Sequence, residues 1–294
     1  MNWQKGLIRG KIKFKEPLRD KTTFKIGGSA KFFIEPKDIE DLKLLINLLK
    51  RDKIPHLVMG AGSNLLISDK GVKAAVIRLN APYFRKITKR SNCLNVGSGL
   101  ALNQLLRIAK ENSLSGVEFS AGIPGTVGGA VMMNAGAGDR SFGDLVKEVK
   151  VMDYDGRIKV LRKKDIKFTY RKSSLAGYII LSAALELTKG NKEKINKEIK
   201  KFLEYRRNSQ DKTLPNAGCI FKNPKGESTG RLIDLCGLKG KTIGDACISR
   251  IHANFILNKG NAKAEEVLKL MDLIRKKVKS RFNINLQPEI KIWQ

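Results

Sequence analysis

The chain has 294 residues, of which 41% are hydrophobic, and this size suits two or three domains with buried cores. No apolar run reaches the roughly 18 to 20 residues that cross a bilayer, and residues 1–17 lack a signal-peptide stretch, so we expect a cytosolic protein outside the membrane. The net charge of +30 comes mostly from scattered Lys residues with only 6% aromatics, which disfavours a single-strand nucleic-acid binder and favours attraction to small anions.

The N-terminal part of the chain predicts short strands interrupted by one helix. After a basic lead-in over 1–21, residues 22–36 predict two short strands around a Gly-Gly turn. Apolar residues at helical spacing predict a helix that begins after Asp38 as its N-cap and ends before Pro55. Residues 56–79 predict a strand, a glycine loop, a strand, a turn and a third strand.

The remaining chain alternates helices with strand-rich stretches. Helical spacing predicts helices over 101–114, 190–210 and 263–282, and the second of these is highly charged. A second glycine-rich stretch lies at 116–137, and strands fill most of the chain between it and the charged helix. The pattern predicts an α+β protein.

The charged helix predicts a domain boundary, because chains commonly pass between domains through polar segments. We expect an N-terminal lead-in over 1–21 and a first domain over 22–189, made of two subdomains of about 22–80 and 81–189. A second domain is expected over 190–294.

The first glycine loop directly follows the apolar strand at 56–59. Glycine lets the backbone approach a ligand closely, and successive N–H groups form an anion-binding nest to which Ser and Asn side chains add donors. A Rossmann site would need a third glycine that opens a helix, and a Walker loop would need Gly-Lys-Ser/Thr; the loop has neither. The candidate cofactor contacts here are Gly60, Ala61, Gly62, Ser63, Asn64 and Leu65.

The second glycine loop is denser, and we expect a rigid turn whose N–H groups point outward. Its apolar residues would suit a flat aromatic ring, and its glycines would suit a pyrophosphate. Either loop alone is more simply an ordinary tight turn, but two in one domain favour a large phosphorylated cofactor. The candidate contacts are Gly122, Ile123, Pro124, Gly125, Val127, Gly128, Gly129 and Ala130.

The cysteines and histidines argue against other kinds of site. The four cysteines, Cys93 among them, show no CxxC pair and no metal-like spacing, so we expect reduced thiols, small core residues for the most part, and no metal site. Only two histidines are present, which weakens hydrolase schemes that depend on a histidine base.

Five motifs occur in an order that points to one family: VMGAGSNLLI, GVEFSAGIPGTVGGAVMMNAGA, FTYRKSS, NAGCIFKNP and QPEI. Together they resemble the UDP-N-acetylenolpyruvoylglucosamine reductases, from about Thr22 to Ile290. The resemblance implies a vanillyl-alcohol-oxidase (PCMH) type FAD-binding domain of two α+β subdomains, followed by a C-terminal α+β substrate-binding domain. It implies reduction of UDP-N-acetylglucosamine enolpyruvate to UDP-N-acetylmuramate in peptidoglycan synthesis, with NADPH supplying the hydride through non-covalently bound FAD.

The resemblance also assigns the reactive residues. Arg171 matches the family's catalytic arginine, which would hold the substrate carboxylate as negative charge develops on it. Glu289 matches the glutamate that assists, although by itself it could be a solvated C-terminal charge. Cys219 stands where the family more commonly has Ser, and we hypothesise that it protonates C2 of the substrate. A thiol, with a reference pKa of about 8.5, is the easier acid; the alternative is an inert buried thiol.

Further residues follow from the same resemblance. Ile180 joins the cofactor contacts, and the short distance from Arg171 to Tyr205 resembles a shorter subclass that lacks a substrate-covering tyrosine insertion. The helix-opening stretch 228–233 is expected to cap and pack the substrate domain, and residues 252–254 are expected to be structural, with Asn258 in the following turn. The implied substrate contacts are Tyr170, Lys222, Asn223 and Gln287.

Two rival functions stay open at this point. One is another FAD oxidoreductase of the same superfamily, in which a histidine often holds the flavin covalently; His56 lies just before the first loop. The other is a basic nucleic-acid-binding protein. We favour the reductase, with the UDP-sugar substrate and NADPH as partners, no nucleic acid or membrane, and a monomeric state.

Overall fold

The computed structural model describes residues 6–294, so the first five residues of the predicted lead-in lie outside the described part. The chain there mixes helices and strands, which agrees with the predicted α+β class. The helices are α1 Ile39–Arg51, α2 Leu102–Glu111, α3 Val127–Met132, α4 Phe142–Leu145, α5 Lys192–Ser209, α6 Thr229–Leu235 and α7 Ala264–Phe282. The strands are β1 Lys11–Pro17, β2 Ser29–Glu35, β3 His56–Met59, β4 Leu65–Ile67, β5 Val72–Arg78, β6 Ile87–Arg90, β7 Cys93–Gly97, β8 Leu114–Ser115, β9 Gly136–Ala137, β10 Arg140–Ser141, β11 Val146–Asp153, β12 Ile158–Arg162, β13 Phe168–Thr169, β14 Lys172–Ser173, β15 Tyr178–Glu186, β16 Thr188–Lys189, β17 Asn216–Cys219, β18 Thr242–Ile243, β19 Ala246–Ile248, β20 Phe255–Asn258 and β21 Lys291–Trp293.

The described chain divides into two compact units whose segments alternate along the sequence. The first unit takes residues 6–14, Lys31–Ala61 and Ala74–Glu204. The second takes Lys15–Ala30, Gly62–Lys73 and Tyr205–Gln294. The predicted domain boundaries assumed continuous stretches of chain, and they stay a prediction.

The first unit has two hydrophobic clusters. One lies on a five-stranded antiparallel sheet of order β12-β11-β15-β7-β6, where the rings of Phe119 and Phe142 meet edge to face at 5.4 Å. The other lies under α1, whose Leu42, Leu45 and Leu49 are fully buried because they recur at helical spacing. Each such side chain contributes about 1.5–3 kcal/mol through burial.

The second unit is built on a four-stranded sheet of order β17-β20-β19-β18. Helix α7 buries Val267, Leu270, Ile274 and Val278, which form one stripe at the helical period and pack in the core of this unit. The chain ends as β21, which pairs in parallel with β4 and places Ile292 beside Leu66.

Most predicted helices and strands are confirmed within a few residues. The side chain of Asp38 accepts a hydrogen bond from the Asp41 N–H at 3.0 Å, as expected of the N-cap of α1. The strand, loop, strand, turn and strand predicted over 56–79 appear as β3, β4 and β5. The highly charged helix is α5, and the C-terminal helix is α7.

The prediction of two strands over 22–36 is wrong for its first half. Only β2 forms, because the backbone of the preceding residues bonds to separate loops instead of to one ladder: Thr23 N–H binds Gly62 O at 3.2 Å, and Gly28 N–H binds Ser68 O at 2.9 Å. Gly27 takes a φ of +132°, and a Cβ there would lie 2.7 Å from Cβ of Ile67. The Gly-Gly pair therefore allows a close crossing of chains.

The four cysteines are half-buried, and none of them forms a disulfide within residues 6–294. Within residues 6–294, no helix combines the length and the apolar character needed to span a bilayer.

Asp41 holds the chain before β1 and the chain before α1 together. Its carboxylate is 1% exposed and accepts N–H bonds from Arg9, Gly10 and Lys37, each at 2.8 Å. We expect Asp41→Ala to lower the free energy of unfolding by about 3 kcal/mol, since it leaves buried donors without partners. Urea denaturation measures this change. The exposed neighbour Glu40→Ala is the matched control, and equal losses in the two variants would contradict the assignment.

Candidate active site

The first unit contains an open pocket with an empty volume of about 570 Å³. It lies between the ends of β3 and β5, the turn after β7, the start of α3 and the start of β15. Its wall joins apolar side chains to a few hydroxyl, amide and guanidinium groups, which is the usual composition of a cofactor site. The lining residues that offer polar groups or apolar surface to a cofactor include Arg78, Asn80, Ser98, Thr126, Tyr178 and Ile180.

Glycines allow the elements that form the pocket wall to pack closely against one another. A Cβ on Gly60 would lie 2.7 Å from Oγ1 of Thr126, and a Cβ on Gly128 would lie 2.8 Å from Cβ of Ser98. Side chains at these positions would therefore push apart the elements that form the wall.

The structure places only some residues of the two predicted glycine loops at this pocket. Gly60, Gly128, Gly129 and Ile180 line the pocket. Val127 and Ala130 belong to the hydrophobic core of the unit. Among the described residues, the lining does not include the segment Gly122, Ile123, Pro124 and Gly125.

The second glycine stretch is non-helical only over 122–125, because Thr126 caps a short helix over 127–132, and this second half is not the outward-pointing turn that we expected. The N–H groups of Val127 and Gly128 donate to Leu100 O and Ser98 O at 2.9 and 2.8 Å, and the Gly129 N–H donates to Oγ1 of Thr126 at 3.4 Å. The expectation that these three N–H groups face a ligand is therefore wrong. The contact of this helix with a cofactor stays a prediction.

Sequence reasoning missed several pocket residues, including Ser98 and Gly99. Ser98 is 5% exposed, and its Oγ is buried without a hydrogen-bond partner in the structure. Buried hydroxyls usually find a partner, so this oxygen is suited to a bound molecule. A signal was present: Gly97-Ser98-Gly99 is a third small-residue turn directly after a strand.

The first glycine loop passes from the first unit into the second. Gly62 takes a φ of +69°, which favours glycine, and Asn64 donates from Nδ2 to Glu289 O at 3.1 Å. The Asn64 carbonyl accepts the Lys291 N–H at 3.0 Å, and Leu65 begins β4 beside Lys291. We expected Asn64 to offer its side chain to a cofactor; the structure uses that side chain to hold the backbone of Glu289.

Arg171 lies in the two-residue turn between β13 and β14 in the first unit. It takes a φ of +55°, its Nη2 donates to Gly136 O at 3.1 Å, and its guanidinium lies 5.0 Å from the centre of the Tyr170 ring. Tyr170 is 52% exposed. The turn therefore presents an oriented, half-buried cation next to an exposed aromatic ring.

Cys219 ends β17 in the second unit and follows Gly218, whose φ is +76°. The register against β20 is irregular here, which leaves the backbone after β17 without a continuous ladder. Asn254 supplies the missing partners: its Oδ1 accepts the Phe221 N–H at 3.0 Å, and its Nδ2 donates to Phe221 O at 2.8 Å. The segment 252–254, expected to be structural, thus fixes the chain two residues after Cys219.

The same unit places the chain around Glu289 beside the chain after Cys219. Glu289 N–H donates to Ile220 O at 2.8 Å, and Lys222 N–H donates to Gln287 O at 2.9 Å. Two of the predicted motifs, which lie far apart in sequence, therefore run side by side. Glu289 donates one of these bonds, and Cys219 directly precedes Ile220, which accepts it.

Asn223 and Lys222 lead into α6. The Thr229 N–H donates to Oδ1 of Asn223 at 3.0 Å, and the Thr229 hydroxyl donates to Lys222 O at 2.7 Å. Ser228 caps α6 by accepting the Arg231 N–H, which confirms the capping role expected of this stretch. The amide of Asn223 therefore has a structural partner, and its role toward a substrate stays a prediction.

Comparison with known proteins identifies the family. Two sequence profiles match: an FAD binding domain over residues 30–162, and the UDP-N-acetylenolpyruvoylglucosamine reductase C-terminal domain over residues 209–293. The chain is 43% identical to a UDP-N-acetylenolpyruvoylglucosamine reductase from Caldicellulosiruptor saccharolyticus over 99% of this chain and 95% of that protein. It is 42% identical to one from Geotalea uraniireducens over 97% and 95%. The chain belongs to the UDP-N-acetylenolpyruvoylglucosamine reductase family.

A solved structure agrees with this assignment. The reductase from Thermus caldophilus superposes with a TM-score of 0.83 at 38% identity and covers 98% of this chain and 100% of that chain. The predicted fold class, an FAD-binding domain followed by a C-terminal domain of the reductase family, is confirmed.

The pocket of the first unit fits the FAD that this family implies. Tyr178 and Ile180 offer flat, apolar surface, Arg78 offers a positive charge for a diphosphate, and the Ser98 hydroxyl needs a partner. The polar groups of Asn80 and Thr126 complete a donor and acceptor set suited to a dinucleotide.

Gly60→Val tests whether this pocket holds FAD. The new side chain would meet Oγ1 of Thr126 and occupy space at the pocket wall, so we expect FAD affinity to fall by about tenfold or more. Titration of the FAD-free protein, followed by quenching of flavin fluorescence, measures the affinity. A cooperative thermal unfolding transition of the FAD-free variant is the control for its fold, and unchanged affinity would show that FAD binds elsewhere.

The histidines give a pH prediction. Burial lowers the pKa of His252 and of His56, so both stay neutral in the folded protein where an unfolded chain would take up protons. The free energy of unfolding should therefore be highest above pH 6.5 and fall as the pH drops below it. His252→Asn removes one titrating group and can still accept the Asn254 N–H that His252 Nδ1 accepts at 3.2 Å. Denaturation at several pH values should show that the free energy of unfolding of this variant changes less steeply with pH than that of the parent protein. Equal pH dependence in the two proteins would contradict the account.

Proposed function

We propose that this chain reduces UDP-N-acetylglucosamine enolpyruvate to UDP-N-acetylmuramate, an FAD-dependent and NADPH-dependent step of peptidoglycan precursor synthesis. The observation that carries the proposal is identity of about 40% to reductases of this name along nearly the whole chain, including the C-terminal domain particular to them. The activity needs a pocket for an anionic cofactor, a group that binds the substrate carboxylate, and a proton donor. The chain offers a candidate for each.

Bound FAD would supply the two-electron chemistry that links NADPH oxidation to hydride addition at C3 of the enolpyruvyl group. The protein's own task is to bind and orient the reactants and to manage the charge and the proton. The pocket around Ser98, Thr126 and Tyr178 supports the FAD-binding part of this task.

The binding is proposed to be non-covalent. His56, the residue considered for a covalent link, packs its ring against Tyr154 with centroids 4.8 Å apart, and its Nε2 is buried without a hydrogen-bond partner. A ring held in this way is poorly placed to attack a flavin. This disfavours the rival in which a histidine carries the cofactor.

Arg171 is proposed to hold the substrate carboxylate. Addition at C3 moves negative charge toward C2 and the carboxylate, and a guanidinium neutralises two oxygens at once with parallel N–H bonds. Its bond to Gly136 O orients the planar group before substrate arrives. Tyr170, beside it on the same exposed turn, is proposed as a substrate contact.

Cys219 is proposed to deliver the proton to C2, which completes the saturated lactyl ether. The S–H bond breaks as the C2–H bond forms, and the resulting thiolate recovers its proton from solvent. Glu289 is proposed to assist, since Glu289 N–H is bonded to the residue after Cys219. Lys222, Asn223 and Gln287, on the two paired segments, are proposed to contact the UDP-sugar.

Cys219→Ala separates the two half-reactions. NADPH should still reduce the flavin at the unchanged rate, while turnover of the enolpyruvyl substrate should fall by about 10²- to 10⁴-fold, as expected for loss of a general acid. Stopped-flow flavin absorbance measures the first rate, and steady-state NADPH oxidation measures the second.

The matched variant is Cys219→Ser, which keeps a proton-bearing group and should retain much more turnover than the alanine variant. Full turnover in Cys219→Ala would end the proposed role. Loss of flavin reduction in the same variant would place Cys219 in NADPH binding instead.

A further inference from the structure

The turn that carries Arg171 is tied to the chain segment that follows α3. This segment, residues 132–136, receives three side-chain bonds to or from the β13–β14 hairpin. The first is the bond from Arg171 Nη2 to Gly136 O at 3.1 Å. The second runs from Ser173 Oγ to Met132 O at 2.8 Å.

The third bond comes from Asn134. This residue is 7% exposed, and its Nδ2 donates to Thr169 O at 3.0 Å. Its Oδ1 accepts the Gly143 N–H at 2.8 Å. One buried amide thus joins three separate pieces of chain: the segment after α3, the hairpin, and the first turn of α4.

Packing leaves little freedom at this junction. A Cβ on Gly143 would lie 2.6 Å from Cγ of Phe168 in β13 and 3.0 Å from Oδ1 of Asn134. The hairpin, α4 and Asn134 therefore lie in direct contact, which a glycine at 143 permits. Asn134 itself takes a φ of +44°, a backbone conformation that asparagine tolerates better than most residues.

These bonds form a closed ring around Arg171. Only Ala135 separates Asn134 from Gly136, whose carbonyl orients the guanidinium, and only Tyr170 separates Thr169 from Arg171. The Asn134 amide closes this ring on the side opposite the guanidinium. Without it, the ring is open, and the side-chain bonds left between the two segments are that of the guanidinium itself and that of Ser173.

We propose that Asn134 is a positioning residue for Arg171, acting through its Nδ2 bond to Thr169 O. The inference rests on the proposed role of Arg171 toward the substrate carboxylate. A displacement of about 1 Å in such a group can lower a rate by about 100-fold. Loss of the Nδ2 bond should therefore lower kcat for the enolpyruvyl substrate by about 10- to 100-fold, with FAD binding and flavin reduction by NADPH unchanged.

Two variants of Asn134 isolate the bond. Asn134→Gly keeps a residue that accepts the positive φ and removes both side-chain bonds. Asn134→Asp keeps an oxygen for the Gly143 N–H but sets a second oxygen against Thr169 O, so it breaks the link to the hairpin alone. Ser173→Ala is the matched control, because it removes a bond between the same two segments that lies outside the ring. Arg171→Lys is the reference for loss of the guanidinium.

The measurements are the FAD dissociation constant, the rate of flavin reduction by NADPH, and kcat and KM for the enolpyruvyl substrate. The proposal is supported if both Asn134 variants bind and reduce FAD normally, lose kcat as Arg171→Lys does, and exceed Ser173→Ala in that loss. It is overturned if Arg171→Lys loses kcat while an FAD-binding Asn134 variant keeps it, or if flavin reduction falls together with kcat. Full turnover in Arg171→Lys would instead overturn the proposed role of Arg171, and the inference with it.

Discussion

The residues proposed to react lie on turns, at the end of a strand or on irregular chain, where buried backbone groups must still find hydrogen-bond partners. Helix interiors and paired strands satisfy most of their N–H and carbonyl groups, whereas irregular segments leave more of theirs to be paired by side chains. Here buried or half-buried asparagine amides supply the partners. Asn254 pairs with both backbone groups of Phe221, Asn134 joins Thr169 to another turn, and Asn64 binds the carbonyl of Glu289. An amide carries a donor and an acceptor, so one side chain can hold two pieces of backbone.

This arrangement divides the work within each unit. The hydrophobic clusters and the regular sheets provide stability, and the residues proposed to react lie outside these clusters, on or next to segments that amides and glycines hold in place. Glycine allows the close approach at Gly128 and at Gly143, where a Cβ would meet Ser98 or Phe168. The proposed chemistry therefore falls on parts of the chain with few regular contacts, where small and amide residues are needed to hold the backbone.

Local patterns in the sequence were enough to predict the local structure. Asp38 and the apolar spacing after it predict α1, and the stripe on α7 is equally clear, because both depend on residues within one or two turns. Bonds between distant segments could not be predicted in this way. The residues before β2 look like a strand, but their partners are Gly62 and Ser68, and the alternation of side chains carries no information about those partners.

The site, too, could be predicted only where local patterns or the family resemblance point to its residues. The glycine-rich motifs pointed to the pocket, and the family resemblance placed Arg171, Cys219 and Glu289, none of which composition or periodicity could select. The pocket residue Ser98 was missed because a single serine after a strand is unremarkable until its burial is known. The N–H groups of residues 127–129 were assigned to a ligand because the sequence does not reveal that Ser98 and Leu100 accept two of them.

Asparagine amides fix the backbone that bears the residues proposed to react, and hydrogen–deuterium exchange tests this role most directly. In Asn254→Ala, amides of residues 219–223 should exchange faster, while those of α7 keep their protection, because only the local partners of Phe221 are lost. The exposed Asn261→Ala should change neither region. Unchanged exchange at 219–223, or faster exchange throughout the second unit, would contradict the account.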